Sequence, residues 1–326
     1  MKPEVICIGE LLIDFVAVDR DSSLVSSSGF TKAPGGAPAN VAAGLARLGR
    51  SSAFIGKVGN DPFGEYLVQT LRDYQVDVSQ VCFDDDARTT LSYVAVRSDG
   101  IRDAIFYRHP GADMMLRPEE ISESYIASGR ILHFGSVSLG AEPVREATLR
   151  AVRYAKEHGL LISYDPNLRL NLWRDEETAK REIRAAFALA DVVKISEEEM
   201  EFVTGCDSLS AAAKYILSQG PRLVVITRGD QGCYYSDNTH SGSIPGHRVE
   251  VAETTGAGDA FVAGLLSRLL ARADEAGEFV LAVDEQTIEA IRFANAAGAL
   301  ATTKVGAIPA MPTAAEVNRL LDEKQA

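Results

Sequence analysis

The sequence predicts a three-layer α/β/α sandwich around a mostly parallel sheet, with a small extra β-sheet attached, and three observations carry that expectation. Short apolar runs alternate with helical patterns along most of the chain, which is how a parallel sheet covered by helices is written. The 326 residues are 46% hydrophobic and 24% charged, enough apolar side chains to build a large core. Two stretches, residues 14–34 and 89–112, break the rhythm with period-2 patterns that suit a separate β-sheet.

Taken in order, "EVICIG" reads as a strand and "NVAAGLARLG" as a helix, followed by strand "SAFIGKVG" and helix "FGEYLVQTLRDY". The second half repeats the theme with strands "RILHFGSV", "LLISYDPN", "DVVKIS" and "RLVVIT". Between them lie the helical patterns "EPVREATLRAVRYAKEHG", "EETAKREIRAAFALA" and "EEEMEFVTG". Ligands of such folds gather at the carboxyl ends of the strands. The interruptions are "DFVAV" and "GFTKA", then "TTLSYVAVRS" and "DAIFYRHP" around a turn at Ser98, Asp99 and Gly100. An appended sheet of this kind caps a site or forms an interface, unless it is a plain edge extension.

Composition excludes several functions. A net charge of −13 repels phosphate backbones and anionic membranes, so nucleic acid and membrane are not expected partners. Cys7, Cys82, Cys206 and Cys233 are scattered without Cys-x-x-Cys spacing and signal neither a zinc site nor a disulfide framework. The opening "MKPEVICIGELLIDFVAV" lacks the basic start and unbroken apolar run of a signal peptide. No run reaches the ~18 apolar residues of a membrane span, and a cytoplasmic location is expected.

The segment that carries chemistry is "ETTGAGDAF" at residues 253–261. Thr254 and Thr255 suit the N-cap of a helix whose apolar run begins at Ala260 and continues to about Ala273. Gly256 and Gly258 leave the backbone amides open there, and free amides at a helix N-terminus attract a phosphate. Asp259, in the first turn, is placed to take a proton from an attacking hydroxyl while those amides hold a phosphoryl group. The bland alternative, a carboxylate that merely complements the helix dipole, fits this segment equally well. No Walker A pattern occurs, so a P-loop enzyme is not indicated.

With "PGGAPANVAAGLARLG" near the N-terminus and "TTGAGDAF" roughly 220 residues later, the chain resembles the sugar kinases of the ribokinase family, also called the PfkB family. Within it the wording is most similar to the fructokinases. The similarity spans nearly the whole chain and implies one ribokinase-like catalytic domain over residues 1–326, its β-sheet acting as a lid. It further implies that Gly256, Ala257 and Gly258 form an anion hole and that Asp259 is the catalytic base.

On the sugar side, the resemblance points to Asp14, Gly35, Gly36 and Asn40. A carboxylate can accept two hydrogen bonds from neighbouring hydroxyls. Two glycines permit close approach of a sugar, and Asn40 offers a donor and an acceptor unless it is only a helix N-cap. Arg108 and Arg169 match positions that face substrate or the transferred phosphate, although an isolated arginine is more often a surface salt-bridge residue. Similar arginines in 2-keto-3-deoxygluconate kinases bind a carboxylate through a guanidinium fork.

On the nucleotide side, "KISEEEMEF" takes the place of the family's Asn-x-x-Glu motif for magnesium and phosphate. Glu199 matches the glutamate, Ser196 replaces the asparagine, and Lys194 stands two residues earlier. Thr227, Gly229 and Gly232 match a Thr-x-Gly-x-x-Gly turn against the nucleotide, and Asn295 is the adenine-side candidate. Glu253 and Thr255, with the later "KVGAIP", match a monovalent-cation site in which an aspartate is usual. The resemblance therefore implies ATP, Mg²⁺ and K⁺ as cofactors, D-fructose as substrate, fructose 6-phosphate as product, and a homodimer paired through the lid. A kinase for another sugar, such as 2-keto-3-deoxygluconate, is the nearest alternative. A catalytically silent sugar or nucleotide sensor is the alternative of a different class, favoured only by Ser196 and Glu253.

Overall fold

A computed structural model describes residues 2–19, 21–96 and 102–323. The expected turn at residues 98–100 lies outside them. The strands are β1 (Val5–Ile8), β2 (Leu12–Ala17), β3 (Phe30–Gly35), β4 (Ser52–Gly59), β5 (Asp77–Asp84), β6 (Leu91–Val96), β7 (Arg102–Tyr107), β8 (Ile131–Gly135), β9 (Leu161–Asp165), β10 (Val192–Ser196), β11 (Leu223–Thr227), β12 (Cys233–Ser236) and β13 (Ser241–Ile244). The helices are α1 (Ala37–Arg47), α2 (Pro62–Asp73), α3 (Glu123–Ile126), α4 (Val144–Glu157), α5 (Glu176–Phe187), α6 (Glu197–Thr204), α7 (Leu209–Ser218), α8 (Ala257–Ala276), α9 (Glu285–Ala301) and α10 (Ala314–Asp322).

Nine strands form the main sheet in the order β13-β12-β11-β10-β9-β8-β1-β4-β5. Pairing is parallel from β11 through to β5, and β12 and β13 add an antiparallel hairpin at one edge. The central strands are unbroken apolar runs because both faces are covered. Their alternation divides two cores. Val5 and Cys7 of β1 and Leu223 and Val225 of β11 pack with α1, α2, α8, α9 and α10. Their neighbours Ile6, Ile8, Val224 and Ile226 pack with α4, α5, α6 and α7 on the opposite face. The three-layer sandwich expected from the sequence is thus present, and the period of two in each strand is what separates its layers.

The second sheet has the order β3-β2-β6-β7. Residue Phe15 of β2 is opposite Tyr93 of β6, and their rings stack at 4.9 Å. Phe30 and Tyr107 add edge-on contacts to Tyr93, and Phe63 of α2 meets Phe15 at 5.9 Å. This aromatic face lashes the sheet to itself and to α2. The next register pair, Asp14 and Ser92, points to the other face of the pleat.

Three local expectations change. The helix of the glycine-rich segment starts at Ala257, one or two residues later than a cap at Thr254 or Thr255 would give, and runs to Ala276 rather than Ala273. Its N-cap is Gly256, at φ 81, not Thr254 or Thr255. Asp14 lies inside β2 of the second sheet, which begins at Leu12 and thus two residues before the expected boundary.

Candidate active site

A cavity of about 630 Å³ opens where the parallel strands end and the second sheet begins. It is lined by Asp14, Gly36 and Asn40 on one side and by Lys194, Ser196, Glu199, Thr227 and Gly229 on the other. Arg169, Glu253, Thr255, Gly256, Gly258 and Asp259 also line it. Residues more than two hundred positions apart are therefore joined in one space.

Asp259 is the third residue of α8, buried to 7% exposure. Burial pushes its carboxyl up to about 6, and the Asp165 charge adds to that, while Asn40, Lys194 and Arg169 oppose it. The Asn40 side-chain amide donates to Asp259 Oδ2 at 2.8 Å. Asn40 lies one turn inside α1, whose N-cap is Gly36 at φ 111, so it is not itself the cap. Its amide locks one carboxylate oxygen and leaves the other to meet a ligand.

The entrance of α8 has the form of an anion site. The first amides of a helix lack intrahelical acceptors, although Ala257 N already donates to Thr254 O at 3.3 Å. Gly256 must be glycine: it has a left-handed backbone, and a Cβ there would sit 3.0 Å from Ala307 Cα. A Cβ on Gly258 would stand 2.9 Å from Lys194 Nζ, so the ammonium lies against this helix end. Lys194 in turn donates to Asp165 Oδ2 at 3.0 Å, both side chains being buried. Burial works against the lysine charge, but Asp165 and Glu199 outweigh it and hold the ammonium above the ordinary lysine value.

Asp14 faces the cavity from β2, where the Ser92 hydroxyl donates to its Oδ1. Gly35 stands beside it, and a Cβ there would fall 2.1 Å from Asp14 Oδ2. On the far side Ser196 and Glu199 form a capping box for α6: Ser196 N donates to Glu199 Oε2 at 3.0 Å, and Glu199 N to Ser196 Oγ at 3.3 Å. Leu168 N donates to the other oxygen of Glu199. This box gives Ser196 a structural use that explains a serine here. Thr227 ends β11 beside it, its hydroxyl 3.5 Å from Ile195 O. Glu253 Oε2 accepts from Gly306 N at 2.8 Å, which brings the expected cation-site segments together.

Several expected site residues lie elsewhere. Arg108 is buried and spent on Asp113, its Nε donating to Asp113 Oδ2 at 2.8 Å, and it does not line the cavity. Asn295 donates to Pro245 O at 2.8 Å from within α9 and is likewise off the cavity wall. Gly232 closes the turn between β11 and β12, where a Cβ would meet Ile244 O at 2.0 Å. Conversely, Glu10, Ser92 and Asp165 line the cavity without having been singled out from the sequence. Asp165 carried a usable signal, an acidic residue at the carboxyl end of a parallel strand. Ser92 carried none, because only the pairing of β2 with β6 brings it to Asp14.

This arrangement suits a phosphate donor at a helix end and a hydroxylated acceptor beside a buried carboxylate, the class of small-molecule kinases. The class narrows to one family: the chain belongs to the pfkB family carbohydrate kinases, whose model matches residues 2–314. It is 47% identical over 320 residues to Fructokinase-1 of Zea mays, an alignment covering 98% of each chain. The Xylella fastidiosa fructokinase solved with bound ATP superposes with a TM-score of 0.88 at 33% identity over the full length of both chains. The Vibrio cholerae fructokinase solved with fructose, ADP and a calcium ion superposes with a TM-score of 0.86 at 38% identity, covering 98% of this chain and 99% of that one.

Proposed function

We propose that the protein is an ATP-dependent fructokinase that transfers the terminal phosphoryl group of ATP to the primary 6-hydroxyl of D-fructose. The observation that carries this reading is Asp259, buried, held by Asn40 at 2.8 Å and set in the first turn of α8. The fructokinase relatives supply the sugar, and their ATP and ADP complexes support the nucleotide.

In this mechanism Asp14 and Asn40 hold sugar hydroxyls, and Asp259 takes the proton of the primary hydroxyl as its oxygen bonds to the γ-phosphorus. The bond from that phosphorus to the bridging oxygen breaks and ADP leaves. Amides at the entrance of α8 and the Lys194 ammonium stabilise charge on the moving phosphoryl group. A carboxyl at about 6 is ionised at neutral pH yet closer to an alcohol in basicity than an ordinary aspartate. Glu198 and Glu199 on the cavity wall are hard oxygen donors that fit magnesium. Both oxygens of Glu199 already accept hydrogen bonds, which suits holding the ion through water. When bound, the ion would neutralise charge on the nucleotide phosphates. A potassium-type ion is proposed beside Glu253 and Thr255, where the longer carboxylate still reaches the Gly306 loop.

One observation favours 2-keto-3-deoxygluconate as a second reading. Arg169 lines the cavity while its Nη1 donates only to the Leu168 carbonyl among the described residues, so its fork can meet a sugar-acid carboxylate. The test is ADP release from MgATP with fructose, 2-keto-3-deoxygluconate, ribose, glucose and adenosine, with and without K⁺. Fructose should give the strong signal, and Asp259→Asn should lose about 10²- to 10⁴-fold in kcat with an unchanged melting temperature. Wild-type turnover in that variant would sink the assignment of the base.

A further inference from the structure

Strand β9 ends in Asp165, and β10 runs parallel beside it with Val192 opposite Ser163 and Val193 opposite Tyr164. The same register sets Lys194 next to Asp165. Alternation along both strands turns these two side chains to the face that Leu161 and Val192 pack against α1 and α8. The core of that face is built from apolar side chains, and a buried ion pair adds little stability over an apolar pair of similar size. Packing therefore gives no reason for a carboxylate and an ammonium here.

Their surroundings supply one. Lys194 Nζ donates to Asp165 Oδ2 at 3.0 Å, both side chains being buried. The other oxygen of Asp165 accepts from Asn167 N at 3.2 Å, which fixes the direction of the carboxylate. A Cβ on Gly258 would stand 2.9 Å from the same Nζ, so the ammonium is set against the residue that precedes Asp259. Among the described residues, however, Lys194 forms its ion pair with Asp165 and not with Asp259. His133, bonded to Ser163 Oγ at 3.0 Å, is held neutral by burial and by Lys194 and adds no charge of its own. A buried base and a buried ammonium this near attract each other strongly. Pairing them would occupy the base and withdraw the cation from the phosphoryl group.

We propose that Asp165 is a positioning residue that keeps these two charges apart, tying the Lys194 ammonium to the end of β9 beside the amides of α8 and so leaving Asp259 to take the proton. This role rests on the kinase reading above and deepens it. The groups that face Asp259 are Asn40 from α1, Lys194 from β10, Asp165 at the end of β9 and Arg169 in the loop that follows. Asp165 raises the Asp259 carboxyl, whereas Asn40, Lys194 and Arg169 lower it. Neutralising Asp165 removes the raising charge and also releases the ammonium toward Asp259. Both effects push the base in the same direction, down.

The test is the pH profile of kcat with MgATP and fructose for the full chain, for Asp165→Asn and for Asp165→Asn combined with Lys194→Met. Asp165→Asn should lower kcat by about 10- to 100-fold, as small misplacements of a reacting group do, and leave the fructose KM unchanged. Its acid limb should lie below the wild-type value of about 6. Adding Lys194→Met removes the ammonium that paired with the base, so the limb should move back up while kcat stays low. A crystal structure of Asp165→Asn should show Lys194 Nζ in an ion pair with Asp259. If Asp165→Asn does not fold because the ammonium has lost its counter-charge, Asp165→Glu keeps the charge and alters the reach. Its limb should stay at the wild-type position while kcat falls about tenfold.

An acid limb that does not move in Asp165→Asn, or a Lys194 that keeps its place in that structure, would overturn the role of Asp165 in an otherwise active enzyme. A raised fructose KM with an unmoved limb would also overturn it and assign Asp165 to the sugar. Wild-type kcat in Asp165→Glu would show that the place of the ammonium does not matter, and would overturn it as well. A wild type that phosphorylates no sugar would overturn the kinase reading itself, and this role with it.

Discussion

At the scale of residues, Asp259 and Glu10 are two of the buried carboxyls that line the cavity. Asp259, pushed up to about 6 mainly by burial, must be ionised to act as a base. Activity should therefore be full above that value and fall as pH drops through about 6, and a kcat profile that stays flat to pH 5 would contradict its role. Glu10 raises a matter of stability. Its folded value of about 7 exceeds the ordinary 4.5, so between those values the folded state holds a proton that the unfolded chain has lost. Stability from this group is thus highest below the unfolded value and declines as pH rises through the folded one. The gap corresponds to on the order of 3 kcal/mol. Glu10→Gln carries no such charge, and its melting temperature relative to wild type should be higher at pH 8 than at pH 5. Thermal scans at both values check this.

At the scale of elements, α8 is the part whose start matters most. It begins at Ala257, just after the threonines that suited its cap, because Gly256 takes a left-handed conformation and is itself the N-cap. That places Asp259 as third residue, with its carboxylate toward the cavity and the free amides beside it. Gly256→Ala should cost about 1–2 kcal/mol for the backbone alone. It should also push against Ala307, whose Cα a Cβ would approach to 3.0 Å. We expect kcat to fall at least about tenfold, in keeping with the loss of an anion-hole donor, while secondary structure by circular dichroism is retained. Unchanged kcat would show that the entrance of α8 does not hold the phosphoryl group.

At the scale of the whole molecule, the second sheet lines the cavity with Asp14 and Ser92 and packs its aromatic face on α2, and we propose that it serves as a lid. A kinase needs water kept from the activated phosphate, because water is also an acceptor. Phosphate release from MgATP without sugar should consequently be slow, and fructose should replace it with sugar phosphate. A sugar-independent ATPase as fast as the kinase reaction would argue against the sheet as a lid. Against a net charge of −13, the nucleotide site proposed above relies on Lys194 and the amides of α8 for local attraction.

Much of this was legible from the linear chain, and the rest was hidden for physical reasons. The sandwich and the separate sheet follow from periodicities, which are local properties of sequence, whereas the pairing of Gly256, Gly258 and Asp259 with Gly36 and Asn40 was implied by the resemblance to the ribokinase family. The N-cap of α8 was misread because threonines are good caps, whereas the left-handed turn at Gly256 depends on packing against Ala307. Glu10 looked like an interruption of an apolar run, and Arg108 like a substrate arginine. Their partners, the Ala37 amide for Glu10 and Asp113 for Arg108, are reached only in the folded chain, and no spacing along the sequence records those contacts. Ser196 is the opposite case, since Ser-x-x-Glu at 196–199 is a capping box that the sequence itself spells, and only the Leu168 amide on Glu199 needed the fold. The sequence by itself determined the layers, and its glycine-rich segment marked a helix end with Asp259 in the first turn. Only the tertiary structure decided which polar groups are spent on one another and which are left for a ligand, because that depends on burial and on partners far apart in the chain.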